Sequence, residues 1–277
     1  IFDVEDHVGD ACEALKECDV IIAAVGENPA DTGEAASRTC LRLSPNQEKL
    51  VYELKKLGKP VVMLVFSGRP LEIRPMLPYA DAVVQAWFLG TEAGTALADI
   101  LTGAYNPSGR LSISFPQTVG QIPVYYNHYN TGRPLGSAEG RYASRYLDCP
   151  NEPLFPFGYG LSYSEFRYSD MHAVVDDEGI LASVQVENIS DVVGVETVQC
   201  YTHDLAGSVV RPLMELKGFE QIELAAHEKK EVSFRITRDM LRFHNDRLEF
   251  VFEPGEFDIM IGHSSADVLT QRVTLGE

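Results

Sequence analysis

The segment Val20-Ile-Ile-Ala-Ala-Val25 is an uninterrupted apolar run, and its length and composition predict a strand that is buried on both faces. The apolar run Val61–Phe66 predicts a second strand, and another strand is predicted at Ala82–Trp87. Continuous apolar strands that alternate with helices are typical of a parallel sheet with helices on both of its faces. We therefore predict an α/β fold for the first part of the chain, in the form of a mainly parallel-sheet α/β/α sandwich.

Three helical patterns accompany these strands. Val4–Glu17 and Thr91–Leu101 carry apolar residues at helical spacing. Ser44 begins the third helix, since Gln47 lies three residues later, as in a capping box, and a proline occupies the first helical position. Gly58 is expected to end that helix.

The character of the sequence changes after the last of these helices. Residues 105–166 are rich in Gly, Pro, Tyr and Asn, which predicts long ordered loops. Beyond Phe166, short segments such as Ile180–Glu187 alternate in polarity, and turn signals such as Glu253-Pro-Gly255 separate them. This pattern predicts an all-β sandwich of immunoglobulin or fibronectin III type. The expected organisation is an α/β domain at 1–120, an ordered loop or strap at 121–166 and a β-sandwich at 167–277.

Charge and cysteine content narrow the possible partners. The 277 residues include 23 basic and 41 acidic side chains, a formal net charge of −18. Because so acidic a surface repels phosphate groups, we expect neither nucleic acid nor an anionic membrane as a partner, whereas a neutral sugar meets no such penalty. The five cysteines are odd in number and form no CxxC pair, which argues against a structural zinc site.

The segment Val25–Thr39 is the best candidate for a site. It leaves the C-terminal end of the first predicted strand, at the edge where open parallel sheets bind ligands. It carries the carboxylates of Glu27, Asp31 and Glu34 and the guanidinium group of Arg38. From these residues alone, the segment is either a solvated acidic loop or the carrier of a general acid/base, and both interpretations stay open.

Several long segments, in the same order, resemble the C-terminal half of glycoside hydrolase family 3, and in particular its bacterial periplasmic-type β-glucosidases. They are GENPADTGEAASR (26–38), LSPNQEKLVYELKKLGKPVVMLVFSGRPLEI (43–73), AWFLGTEAGTALADILTGAYNPSGRLSISFPQTVGQIPVYYNHYNTGRP (86–134), SRYLD (144–148) and PLFPFGYGLSYSEF (153–166). The resemblance extends over essentially the whole chain, and the tail is similar to the family's fibronectin III-like domain. It implies that an N-terminal (β/α)8 barrel precedes this chain in the complete protein, which agrees with a sequence that does not begin with Met.

The resemblance also implies a chemistry. Members of the family hydrolyse terminal β-D-glycosides with retention, through an aspartate nucleophile in the barrel and an acid/base glutamate in the sandwich domain, and they need no metal or organic cofactor. The position that matches the acid/base is Glu34, and the alternative is Glu27, which directly follows the strand and would rather shape the loop. Arg38 is a candidate substrate-binding residue. Expected substrates are β-linked oligosaccharides or aryl and alkyl glucosides. Without the barrel, we expect Glu34 to be solvent-exposed and the isolated chain to be inactive.

Several alternatives stay open at this point. The chain is also compatible with a non-catalytic carbohydrate-binding or scaffolding module, or with a subunit that completes a barrel active site in trans. Trp87 is either a sugar-stacking platform or a core aromatic residue. A Tyr- and Arg-rich loop either lines the site or straps the barrel; it contains Tyr125, Tyr126, Tyr129, Arg133, Arg141 and Arg145. The compartment is undecided, since the resemblance favours a periplasmic or secreted protein and the unpaired cysteines favour the cytoplasm.

Overall fold

The computed structural model describes residues 7–28, 30–134 and 142–276. The chain divides into two compact units. The first comprises the described residues of Ile1–Ala98, Phe115–Val124 and Glu152–Leu154, and the second those of Asp99–Ser114, Tyr125–Asn151 and Phe155–Glu277. The predicted strap is therefore shared between the units. Within the described residues, no helix combines the length and apolar character needed to cross a bilayer.

The first unit contains a parallel sheet with helices between its strands. The elements are α1 (Val8–Ala14), β1 (Ile21–Gly26), α2 (Pro45–Lys55), β2 (Val61–Phe66), β3 (Ala82–Gln85) and α3 (Ala93–Thr102), the last of which continues into the second unit. The strand order is β1-β2-β3. This arrangement confirms the α/β class predicted from the apolar runs. The start of the first predicted helix, Val4–His7, falls largely outside the described residues.

The register of the sheet brings three strand ends to one edge. Gly26 at the end of β1 pairs with Phe66 at the end of β2, and Val65 pairs with Gln85 at the end of β3. The segments that follow these strands therefore emerge side by side. Burial differs between the strands: β2 is covered on both faces as predicted, whereas Ile22 in β1 is 53% exposed. The prediction of two covered faces is wrong for β1, because its residues from Ile21 to Val25 are buried and exposed in alternation, so that within the described residues only one face of this strand is covered.

The capping box expected at α2 is formed on one side only. The Ser44 hydroxyl accepts a hydrogen bond from the Gln47 N–H at 3.4 Å. The Gln47 side chain bonds the end of β1 instead: its Oε1 accepts from the Gly26 N–H at 2.7 Å, and its Nε2 donates to the Gly26 carbonyl at 3.0 Å. Gly26 has φ +140°, and a Cβ atom there would lie 1.8 Å from the Phe66 carbonyl oxygen. Only glycine fits at this close approach of the two strands.

The second unit is an antiparallel β-sandwich, as the alternating segments predicted. Its strands are β4 (Phe166–Asp176), β5 (Gly179–Asn188), β6 (Gly194–Asp204), β7 (Glu215–Leu224), β8 (Lys229–Thr237), β9 (Phe243–His244), β10 (Phe250–Val251), β11 (Gly255–Ser264) and β12 (Asp267–Leu275). One sheet has the order β12-β11-β6-β7 and the other β4-β5-β8, and β9 pairs with β10. Alternate residues of β5, from Ile180 to Val186, pack with Ile259 and Ile261 of β11 in one apolar core.

A buried polar cluster crosses this sandwich. Glu196 is fully buried; one of its carboxylate oxygens pairs with Arg110 at 2.5 Å, and the other accepts from the Tyr168 hydroxyl at 2.9 Å and contacts His263 Nδ1 at 3.1 Å. Burial and the Glu196 carboxylate raise the pKa of Tyr168 far above its ordinary value. The carboxylate is therefore kept inside the sandwich by one ion pair and two hydrogen-bonding neighbours.

Candidate active site

The loop after β1 begins as an extension of the sheet. The Glu27 N–H donates to the Phe66 carbonyl at 2.8 Å, so pairing with β2 continues for one residue beyond β1. A turn follows, in which Asn28 Oδ1 accepts from the Ala30 N–H at 2.8 Å and Asn28 Nδ2 donates to Asp31 Oδ2 at 2.6 Å. This side-chain turn is the usual role of Asn at a loop entrance.

Glu27 is a buried anion held by neighbouring groups. The residue is 5% exposed, and its Oε1 lies 3.0 Å from Arg69 Nε and 3.5 Å from Arg38 Nη1. Its Oε2 accepts from the Gly68 N–H at 3.1 Å. A buried carboxylate needs such partners to offset its desolvation. Because both oxygens are engaged by the turn after β2, this geometry supports a loop-shaping role for Glu27.

Glu34 has the opposite environment. It is exposed, as expected for this chain without a barrel, and within the part of the chain that the structure describes it makes no hydrogen bond or ion pair. Its neighbours Gly33 and Ala35 have φ values of +109° and +60°. Glycine adopts such values freely, whereas an alanine in this region carries a cost of about 1–2 kcal/mol. The loop therefore presents the Glu34 carboxylate to solvent on a backbone of unusual conformation.

Arg69 joins the two sides of this loop, and the sequence analysis did not identify it as a site residue. Its Nη2 donates to the carbonyl oxygens of Asp31 and Ala36, each at 3.2 Å, while its Nε pairs with Glu27. The available signal was its position, since Arg69 follows β2 at the same sheet edge at which the acidic loop follows β1. A cation at the edge where an acidic loop emerges can pair with one of its carboxylates, and here that carboxylate is Glu27.

The structure also locates the other candidate residues. The Arg38 side chain is 27% exposed and its guanidinium group faces Glu27, so it lies at the base of the loop. Trp87 is half-buried, and its ring centroid is 6.0 Å from that of Phe115 in the same unit. This contact supports the interpretation of Trp87 as a packing aromatic residue.

The Tyr- and Arg-rich loop contains residues of different kinds. The Tyr126 ring stacks on Phe157 at 4.3 Å, and its hydroxyl accepts from a backbone N–H of β7 at 3.3 Å. Tyr125 and Tyr129 are exposed. Arg141 lies outside the described residues. Tyr126 is thus part of the packing of the second unit, and the exposed tyrosines remain candidates for contacts with another domain.

Two other features of the described structure bear on the choice of site. A cleft of about 350 Å³ in the second unit is lined by Tyr168, His263 and residues of β4, β11 and β12, and none of the candidate site residues borders it. Among residues 7–28, 30–134 and 142–276, no group of three or more His, Cys, Asp or Glu side chains is placed to hold a metal ion. The loop after β1 remains the only carboxylate site that the sequence and the described structure both single out.

Comparison with known proteins agrees with both units. Residues 5–163 match the glycosyl hydrolase family 3 C-terminal domain, and residues 196–265 match a fibronectin type III-like domain. A periplasmic beta-glucosidase of Salmonella typhimurium is 46% identical over 266 residues, which are 94% of this chain and 35% of that protein. A beta-xylosidase of Formosa agariphila is 40% identical over 262 residues, which are 92% of this chain and 35% of that protein. The chain thus spans about a third of the length of these curated relatives.

Solved structures give the same result. The beta-glucosidase from Listeria innocua, determined in complex with glucose, superimposes with a TM-score of 0.94 at 45% identity, over 99% of this chain and 39% of that one. A beta-glucosidase from Bifidobacterium adolescentis superimposes with a TM-score of 0.83 at 28% identity, over 97% of this chain and 40% of that one. The sheet order, the sandwich and the sequence match therefore agree, and this chain belongs to glycosyl hydrolase family 3.

Proposed function

We propose that this chain is the C-terminal part of a retaining β-glucosidase and that it supplies the acid/base of the reaction. The observation that carries the proposal is the loop after β1, which holds one glutamate buried and presents another, Glu34, to solvent at the ligand-binding edge of the sheet. The similarity to beta-glucosidases over nearly the whole chain supports the same assignment. The nucleophile, an aspartate, and the rest of the sugar site belong to an N-terminal (β/α)8 barrel.

The reaction assigns two successive tasks to Glu34. In the first step its carboxyl group gives a proton to the glycosidic oxygen, while the barrel aspartate forms a bond to the anomeric carbon and the alcohol leaves. In the second step the Glu34 carboxylate takes a proton from water as the water oxygen attacks the same carbon and displaces the aspartate. Retention requires the two carboxyl groups to lie about 5–5.5 Å apart. The buried Glu27, with both oxygens engaged, is poorly suited to these transfers.

A rescue experiment in the complete enzyme tests the assignment. In Glu34→Ala we expect a loss of turnover of at least about 100-fold, in line with the usual contribution of general acid/base catalysis. Azide should restore turnover with an activated aryl β-glucoside and form β-glucosyl azide, because azide attacks the glycosyl-enzyme without needing a base. Asp31→Asn is the matched carboxylate control from the same loop and should show no rescue. Rescue of Glu27→Ala but not of Glu34→Ala would assign the acid/base to Glu27.

The sugar specificity is a separate question. We propose β-glucosides as the substrate class, although several relatives are named as beta-xylosidases. Comparison of kcat/KM for 4-nitrophenyl β-glucoside and β-xyloside decides between the two sugars. The isolated 277-residue chain should hydrolyse neither; glucose binding by that chain alone would support the binding-module alternative, and activity on mixing with a separate barrel protein would support the subunit alternative.

A further inference from the structure

The position of Arg69 follows from the parallel register of β1 and β2. Because Gly26 pairs with Phe66, the turn Ser67-Gly68-Arg69 after β2 lies directly beside the loop after β1. The Arg69 side chain crosses between these segments, and its guanidinium group reaches Glu27, Asp31 and Ala36. A planar guanidinium group with several N–H donors can bond several acceptors at once, which a lysine ammonium group on a flexible stem does less well.

The two carbonyl groups that Arg69 binds lie on either side of Glu34. One belongs to Asp31, three residues before Glu34, and the other to Ala36, two residues after it. Between them the backbone passes through the left-handed residues Gly33 and Ala35. Among the described residues, the Glu34 side chain has no partner that would orient it. The direction of the Glu34 side chain therefore depends on the backbone of the loop, and Arg69 bonds that backbone on both sides of Glu34, at Asp31 and at Ala36.

The backbone of Arg69 is fixed by hydrogen bonds to Ser67 and, through Ser67, to Gln85. The Ser67 hydroxyl, which is fully buried, donates to the Arg69 carbonyl at 2.8 Å, and Gln85 Nε2 at the end of β3 donates to the Ser67 hydroxyl at 3.0 Å. The ion pair with Glu27 orients the guanidinium group. A continuous set of contacts thus runs from the ends of β2 and β3, through Arg69, to the loop that carries Glu34.

We propose that Arg69 is a positioning residue for the acid/base Glu34: its guanidinium group bridges the carbonyl oxygens of Asp31 and Ala36 and thereby directs the carboxylate. This inference rests on the proposed function. It implies that loss of the bridge impairs proton transfer while the glycone site stays intact. The defect should be largest for substrates whose leaving group needs a proton, and small for those whose leaving group departs as a stable anion.

The test compares leaving groups in the complete enzyme. For Arg69→Met and Arg69→Lys we expect kcat/KM for phenyl β-glucoside to fall by about 10- to 100-fold, part of the usual contribution of acid catalysis, because the carboxyl group is displaced. For 2,4-dinitrophenyl β-glucoside the fall should be less than about 3-fold. Arg42→Met removes another arginine–glutamate ion pair of the first unit, with Glu48, and should change neither value.

The outcomes separate the inference from the proposed function. An equal fall for both substrates, or no fall, would overturn the positioning role of Arg69. Glu34→Ala serves as the reference. If Glu34→Ala shows neither the leaving-group dependence nor azide rescue, the proposed function is wrong. If Glu34→Ala shows both, but the Arg69 variants lose the same fraction of kcat/KM for both substrates, only the inference about Arg69 is refuted. Arg69→Lys retains a cation beside Glu27, so it decides the question where Arg69→Met does not fold. Loss of native Trp87 fluorescence in Arg69→Lys as well would assign Arg69 to folding and overturn the proposal.

Discussion

The contrast between Glu27 and Glu34 gives a prediction about stability that does not depend on the reaction. In Glu27→Gln the neutral amide replaces a carboxylate that is 1% exposed and that contacts Arg69 Nε at 3.0 Å and the Gly68 N–H at 3.1 Å. Hydrogen bonds to charged groups contribute about 1.5–3 kcal/mol each. The two arginine side chains left behind are 22% and 27% exposed, so water relieves part of the loss. We expect the free energy of unfolding to fall by about 3 kcal/mol.

The same change at Glu34 should have almost no effect. Glu34 is exposed, and substitutions at exposed positions away from special contacts usually change stability by less than about 0.5 kcal/mol. Glu48→Gln is a matched control, because it breaks a partly exposed pair with Arg42, and such pairs are worth about 0–1 kcal/mol. The expected order of destabilisation is therefore Glu27→Gln first, Glu48→Gln second and Glu34→Gln last.

Urea unfolding of the 277-residue chain measures this order. Trp87 is the only tryptophan, and it lies in the first unit, so its fluorescence follows the unfolding of the unit that carries the loop. If the free energy of unfolding falls by about 2 kcal/mol per molar urea, the midpoint of unfolding should fall by about 1.5 M urea in Glu27→Gln and by less than about 0.3 M in Glu34→Gln. The reasoning is refuted if the two variants shift the midpoint equally, or if Glu27→Gln unfolds within about 0.3 M of the wild type.

Three further predictions concern the rest of the chain. Arg110→Met leaves the Glu196 carboxylate buried without its arginine partner and should destabilise the second unit by about 3–5 kcal/mol. The double variant Arg110→Met/Glu196→Met should recover much of this stability, and hydrogen exchange of β5 and β6 measures both effects. Burial raises the pKa of the Cys200 thiol to about 12, so a thiol-specific reagent should label the exposed Cys40 in the native protein and Cys200 only after unfolding; equal labelling rates would contradict the buried placement. Gly26→Ala should prevent normal pairing of β1 with β2, since its Cβ atom would lie 1.8 Å from a carbonyl oxygen; a wild-type melting temperature would show that this close approach is wrong.

The amino-acid sequence was sufficient to predict the elements with a strong apolar pattern. β1 and β2 are continuous apolar runs, and β5 alternates in polarity and buries every second residue in the sandwich core, so their composition marks them as strands, although it does not record the exposed face of β1. The sequence analysis did not locate β4, β7 and β12. All three lie at the edge of a sheet and bury few of their side chains, and the hydrophobic periodicity that marks a strand is therefore weak in them.

The candidate site divides in the same way. Its place was predictable, because Glu27, Glu34 and Arg38 follow a recognisable buried strand, and the carboxyl ends of parallel strands meet at one sheet edge. The exposure of Glu34 was also expected, but the partner of Glu27 was not, because Arg69 is 42 residues from Glu27 along the chain and reaches it only through the register of β1 against β2. Local composition records whether a segment is apolar, but not which distant cation will lie next to a carboxylate. That pairing arises from the packing of neighbouring strands, and it makes one glutamate a buried anchor while the other faces solvent.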